Sequence, residues 1–125
     1  LDPDSGRATV VGAGQPPLIV ARKGGGFETV GSVAPPLGLV ESSQFTEEAV
    51  DLGPGDSFLL YTDGLLGSAD KKRPRMTPES LAELIDPHAT NAETMLKKIL
   101  AATPAEGTGG QSPDDIAAVL VLRTE

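Results

Sequence analysis

With 18 acidic against 10 basic side chains in 125 residues and a net charge of −8, this chain is a poor partner for nucleic acid or an anionic membrane surface, both of which need clustered Lys and Arg. The length allows one domain, and the absence of cysteine excludes disulfides, zinc–thiolate sites and a thiol nucleophile, which fits a reducing, cytoplasmic setting. No apolar stretch reaches the ~20 residues of a bilayer span and no signal peptide is visible, so no membrane contact is expected from this segment.

The 15 glycines and 11 prolines fall between apolar runs, which predicts many short elements joined by tight turns. Asp2-Pro3-Asp4-Ser5-Gly6 is turn chemistry. The chain starts there, at Leu1 and without Met, and so reads as a piece of a longer or trimmed protein. Arg7 to Ala13 and Leu18 to Arg22 are predicted strands, separated by Gly14 to Pro17. Gly24-Gly25-Gly26 turns into a third at Phe27 to Val30, and the three together predict an antiparallel meander. Pro35-Pro36-Leu37-Gly38-Leu39 is a rigid loop. Gln44 to Leu52 mixes helical and strand signals; a hairpin with 57–62 across the G-P-G-D turn at 53–56 explains both, so a strand is expected. The one basic cluster, Lys71, Lys72, Arg73 and Arg75, sits in a Pro-containing loop and reads as a solvated loop, with contact to an anion as the sharper alternative.

Thr77-Pro78-Glu79 is a helix start, with Thr as N-cap, Pro at the first position and an acid in the first turn. Its apolar stripe is Leu81, Leu84 and Ile85, and Asp86-Pro87 ends it, so the helix spans 77–86. Asn91 caps a second helix over 91–103, with Ala92, Met95, Leu96, Ile99 and Leu100 on one face. After a small-residue loop, Ile116 to Leu122 is a continuous apolar strand of the kind buried on both faces. Strands, then two late helices, then a last strand predict an α+β fold, mainly antiparallel, with the helices layered on the sheet.

Two segments share a pattern that bears on function. Asp63-Gly64 follows the apolar run Phe58–Tyr61, and Asp114-Asp115 precedes the final strand. If those strands are antiparallel neighbours, their carboxylates converge at one sheet edge, where they repel unless one is protonated or a cation lies between them. Hard divalent ions, Mg²⁺ or Mn²⁺, take such oxygen ligands. Asp-Gly is equally a common turn dipeptide, and an acidic flank before a strand is ordinary, so spacing alone leaves turns and a metal site both open. Other chemistry is poorly supplied. His88 is a lone loop histidine, there is no G-x-S-x-G elbow, Gly24–Gly26 lacks the Lys-Ser/Thr of a phosphate loop, and Gly12-x-Gly14 lacks the third glycine of a dinucleotide site.

Four segments, A-T-V-V-G-A-G-Q-P-P-L-I-V (8–20), P-L-G-L (36–39), L-G-P-G-D-S-F-L-L-Y-T-D-G-L (52–65) and P-D-D-I-A-A-V-L-V-L (113–122), resemble in order and spacing the C-terminal half of the SpoIIE/RsbU-like phosphatases. These are bacterial members of the metal-dependent PPM superfamily of serine/threonine protein phosphatases. The resemblance covers nearly the whole chain, and makes 1–125 the C-terminal portion of such a domain, with its N-terminal part absent. It implies part of an α-β-β-α sandwich and two Mn²⁺ or Mg²⁺ ions in the intact domain. It also implies hydrolysis of phosphoserine or phosphothreonine by a metal-activated water, with no protein nucleophile. Asp63 and Asp114 resemble metal ligands of that family. The implied substrate is a phosphorylated STAS-type anti-sigma-factor antagonist, in stress response or partner switching.

Three departures stand beside the resemblance. The upstream G-D motif is missing, and Gly55-Asp56 lies in a turn and does not replace it. Gln15 stands where many relatives have His, and Ala117 where they have Thr or Ser, which is expected to loosen local hydrogen bonding. These 125 residues alone are therefore expected to be inactive, and a bare sheet edge invites pairing with a second copy. The rival reading is a catalytically inactive phosphatase-like module that binds a signalling partner. A plain α+β domain with turn aspartates would bind no metal.

Overall fold

The computed structural model describes residues 1–31, 34–67, 75–103 and 115–125. Six strands and two helices follow in the order β1 (Arg7–Val11), β2 (Leu18–Ala21), β3 (Phe27–Val30), β4 (Glu47–Asp51), β5 (Ser57–Tyr61), α1 (Pro78–Ala82), α2 (Ala92–Ala102) and β6 (Ala118–Leu122). β3, β2, β5 and β6 form one antiparallel sheet in that order, while β1 pairs only with β4 in a second, two-stranded sheet. The α+β class and the mainly antiparallel pairing match the expectation. Among the described residues no helix is long and apolar enough to cross a membrane.

Alternation along β2 and β5 builds two cores from one sheet. Ile19 and Ala21 of β2, with Leu59 and Tyr61 of β5, face the helices and pack with Leu81, Ala82, Ile85, Met95 and Ile99. Leu18 and Val20 of β2, with Phe58 of β5, face the other way and pack with Ala8, Val30, Val50 and Leu52. The layers are therefore helices, four-stranded sheet, two-stranded sheet. Ile19 and Leu59 are cross-strand partners and are both fully buried. Burying an aliphatic side chain of this size stabilises the fold by about 1.5–3 kcal/mol.

Several expectations are corrected. β1 does not join β2 in a meander, because Pro16 and Pro17 lack the N–H groups that a hairpin ladder needs. The Gly14 amide instead bonds the Ala34 carbonyl at 2.8 Å. β4 and β5 are not a hairpin either: the 53–56 turn carries the chain from the small sheet to the large one. α1 stops at Ala82. The Leu84 and Ile85 amides bond three residues back, to Leu81 and Ala82, and Pro87 disfavours helical backbone at Asp86. Leu100 lies at the rim of α2 rather than in its buried stripe. β6 is an edge strand, not one buried on both faces. Ala118 and Leu120 pack toward the helices and Val121 toward the small sheet, but that sheet does not reach Val119 or its partner Leu60, which are 54% and 46% exposed.

Both caps form as the sequence dictates. The Thr77 hydroxyl accepts from the Ser80 amide at 3.2 Å, and Asn91 Oδ1 accepts from the Thr94 amide at 2.9 Å.

The sheet-switching turn is held by Asp56. Its carboxylate accepts from the Lys23 amide at 2.9 Å, the Gly53 amide at 2.9 Å and Arg22 Nη1 at 2.8 Å. Arg22 also pairs with Glu28 and donates to the Asp51 carbonyl at 2.7 Å, so one cluster ties β2, β3, the end of β4 and the turn. Burial pushes the Asp56 carboxyl up, but the two amides and the guanidinium outweigh it and hold the group below its ordinary value of 3.8. Asp56→Ala should therefore lower stability in urea unfolding at pH 7 by about 1–3 kcal/mol. The carboxyl is depressed on folding, so its contribution is complete above its ordinary value and fades as pH falls through the lower folded value. The gap between the two proteins should accordingly shrink below about pH 3.8.

Candidate metal-binding edge of the sheet

β5 ends at Tyr61, and after Thr62 the chain enters a 3₁₀ turn, Asp63–Leu66. The turn closes because Leu65 and Leu66 are drawn into the helix-facing core, with the Leu65 amide bonded to the Thr62 carbonyl at 3.0 Å. With both leucines inside, Asp63 is left at the outer head of the turn, its side chain 64% exposed. Gly64 lies within the turn without a positive φ. Glycine is therefore not required there by a left-handed conformation.

The start of β6 is brought to the same edge. Tyr61 faces Ala118 in register, and Thr62 extends the pairing by one residue. Its amide donates to the Ala117 carbonyl at 3.0 Å. Its hydroxyl accepts from the Ala117 amide at 2.9 Å and donates to the Asp115 carbonyl at 2.8 Å. Asp115, exposed, thus stands across the strand ends from Asp63. Asp114 lies outside the described residues. Ala117 does not loosen this junction, because both its amide and its carbonyl are engaged by Thr62.

Asp63 has one cationic neighbour among the described residues, Arg75, whose Nη2 lies 3.7 Å from Oδ2. Both side chains are about half exposed or more, and such a surface pair is worth under about 1 kcal/mol. A stronger cation would displace it. Of the basic cluster, Lys71, Lys72 and Arg73 lie outside the described residues, while Arg75 borders the aspartate instead of standing free in solvent. The donor chemistry fits a hard divalent ion: carboxylate and main-chain oxygens, with no sulfur. Among the described residues no group of three or more His, Cys, Asp or Glu converges.

Beneath the edge, Tyr61 is buried and its hydroxyl has no hydrogen-bond partner among the described residues. Burial, with the charge of Glu79 adding, pushes it up to about 12, so the phenol stays neutral. Elsewhere, the A-G-Q-P-P and P-P-L-G-L segments meet: a Cβ added at Gly14 would lie 2.6 Å from Pro36 Cγ. Gln15 is exposed beside them, and Leu37 and Leu39 project at 76% and 71% exposure.

Sequence reasoning singled out Asp63 but missed Thr62, the residue that joins the two strand ends. The available signal was a β-branched hydroxyl residue immediately before an Asp-Gly that ends a buried strand. Thr62→Val keeps the shape and removes both hydroxyl bonds. Hydrogen exchange at the Ala117 amide should accelerate about tenfold, with exchange at Val121, at the other end of β6, unchanged.

The family described as Stage II sporulation protein E (SpoIIE) matches residues 1–125. The chain is 23% identical over 123 residues to Protein IcfG of Synechocystis sp., spanning 98% of this chain and 19% of that protein. Three solved structures share the fold. The RsbU and RsbW domains of Rv1364c from Mycobacterium tuberculosis superpose with a TM-score of 0.61 at 24% identity, over 96% of this chain and 33% of theirs. The SiaA-PP2C domain of Pseudomonas aeruginosa gives 0.62 at 20% identity, over 94% and 46%. RsbX in complex with magnesium gives 0.58 at 13% identity, over 94% and 49%. The chain thus spans about a fifth of its curated relative and between a third and a half of these solved chains.

Proposed function

We propose, for a chain that belongs to the SpoIIE family over all of residues 1–125, that it forms the C-terminal portion of a metal-dependent serine/threonine phosphatase domain. Its two carboxylate-bearing strand ends hold part of the metal site. The observation that supports this reading is the β5–β6 register extended by Thr62, whose hydroxyl, one residue before Asp63, bonds the Asp115 carbonyl and the Ala117 amide. Asp63 and Asp114 are the proposed ligands. A Mn²⁺ or Mg²⁺ ion held there supplies charge neutralisation at the phosphoryl oxygens and a more acidic water. That RsbX was solved with magnesium supports the choice of ion.

The chain's own residues do the positioning. Leu65 and Leu66 anchor the turn that presents Asp63. Thr62 fixes the distance between the strand ends. Arg75, at the rim beside Asp63, would offer a planar guanidinium to a phosphoryl oxygen. His88 lies beside Leu122, at the opposite end of β6, and takes no part.

The substrate is a phosphoserine or phosphothreonine on a bacterial regulatory protein in the cytoplasm, of the STAS-type anti-sigma-factor antagonist class that the family resemblance implies. A neighbour carrying RsbU and RsbW domains together supports a regulatory partner. The second reading, an inactive module that binds a signalling partner, is favoured by the Arg75–Asp63 pair and by Gln15.

The deciding assay is Mn²⁺-dependent dephosphorylation of a phosphoserine peptide by the protein extended to the full domain length of its relatives. Asp63→Asn and Asp114→Asn should each lower kcat/KM by about a hundredfold or more. Unchanged turnover in both variants would overturn the assignment. No turnover in the parent despite bound Mn²⁺ would establish the inactive module.

A further inference from the structure

At the far end of the large sheet from Asp63, a cavity of about 350 Å³ opens between the α1–α2 connection, the end of β6 and the 53–56 turn. We propose that it binds a small polyanion, a phosphate or polycarboxylate compound. The volume lies at the lower end of the range that small-molecule sites occupy.

The charge of its lining is the first argument. In a chain with 18 acidic and 10 basic residues, no acidic side chain among the described residues lines this cavity, and its charged or titratable members among them are Lys23, His88 and Arg123. Of the nearby acids, Asp56 is committed elsewhere and Asp86 is tied to the loop backbone. Asp56 is turned to Arg22 and to the Lys23 and Gly53 amides. Asp86 accepts from the His88 amide at 2.9 Å.

The second argument is that the Arg123 guanidinium is held in place before any ligand arrives. Arg123 donates to main-chain oxygens: the carbonyls of Ser5 at 2.8 Å, Asp4 at 3.2 Å and Leu52, and the α-carboxyl group of Glu125 at 2.7 Å. Its guanidinium is fixed at four points, and no side-chain carboxylate among the described residues pairs with it. Lys23 forms no ion pair among the described residues, and its stem lies against Gly55, where a Cβ would collide with it. Gly55 has a left-handed φ of +88°, so both the turn and the lysine stem require glycine there. Thr90 and Thr124 add hydroxyl donors, and Leu122 adds an apolar wall. One fixed guanidinium, a lysine, a histidine, two threonines and an apolar wall around a small cavity suit a compact anion with several charged oxygens.

The test is an amide-resolved NMR titration of the metal-free chain with inorganic pyrophosphate and, separately, citrate, in ~0.1 M salt where diffuse surface attraction is largely screened. Saturable shifts are expected at Lys23, Gly55, His88, Arg123 and Thr124. Binding should weaken about tenfold in Lys23→Met, which keeps the stem over Gly55, and should also fall in His88→Gln. Asp63→Asn should leave it unchanged. Saturation by pyrophosphate alone identifies a phosphate site, and saturation by both identifies a general polyanion site. Linear, unsaturated shifts spread over the basic residues would overturn the proposal, as would saturation unchanged in both Lys23→Met and His88→Gln.

Discussion

The pairing of β5 with β6, carried one residue past the strands by Thr62, is the constraint on which the rest of the site depends. β5 is central: it pairs with β2 on one side and β6 on the other, and its side chains feed both cores. β6 is the last strand in the chain, separated from β5 by both helices. Only their register brings residue 63 next to residue 115. A shift of one residue would turn Leu59 and Tyr61 out of the helix-facing core, so burial of those two side chains sets where the aspartates meet. The Thr62 hydroxyl, at the end of β5, then fixes the last step, because it both donates to and accepts from the start of β6, at the Asp115 carbonyl and the Ala117 amide.

A division of labour runs along the large sheet. At one end Asp56 is buried, triply bonded and charged, and it acts in stability: it locks the crossing between the two sheets. At the other end Asp63 is exposed, paired only loosely with Arg75, and free to exchange that partner. The two carboxylates are seven residues apart on the same strand and its flanks, and their environments differ in kind. Well-satisfied charges hold a fold together, and under-satisfied ones bind ligands.

Much of the layout was legible in the sequence because it rests on local rules. The helix caps at Thr77 and Asn91, the stripe of Met95 and Ile99, the alternation along 18–21 and the Gly24–Gly26 turn are all written in adjacent residues. Strand partners were less legible. The G-P-G-D turn looks like a hairpin, and nothing local states that β4 pairs back to β1 while β5 enters another sheet. Arg22, thirty-four positions before Asp56, settles that choice through space. The same reason hid Thr62, whose two partners lie at 115 and 117, and hid the Lys23, His88 and Arg123 cavity, assembled from three distant segments. Of the two ligands expected, Asp63 lies exposed at the end of β5 beside Arg75, and Asp114 lies outside the described residues.

The most direct test of the central claim uses the paramagnetism of Mn²⁺ on the chain itself. Substoichiometric Mn²⁺ broadens the amide signals of residues close to the bound ion, so a spectrum reports the site without any need for turnover. If the ends of β5 and β6 converge on a cation, signals of 62–66 and 115–117 should broaden together and first, and should sharpen again in Asp63→Asn. Broadening confined to one of the two segments, or scattered over the acidic surface and indifferent to Asp63→Asn, would contradict the account.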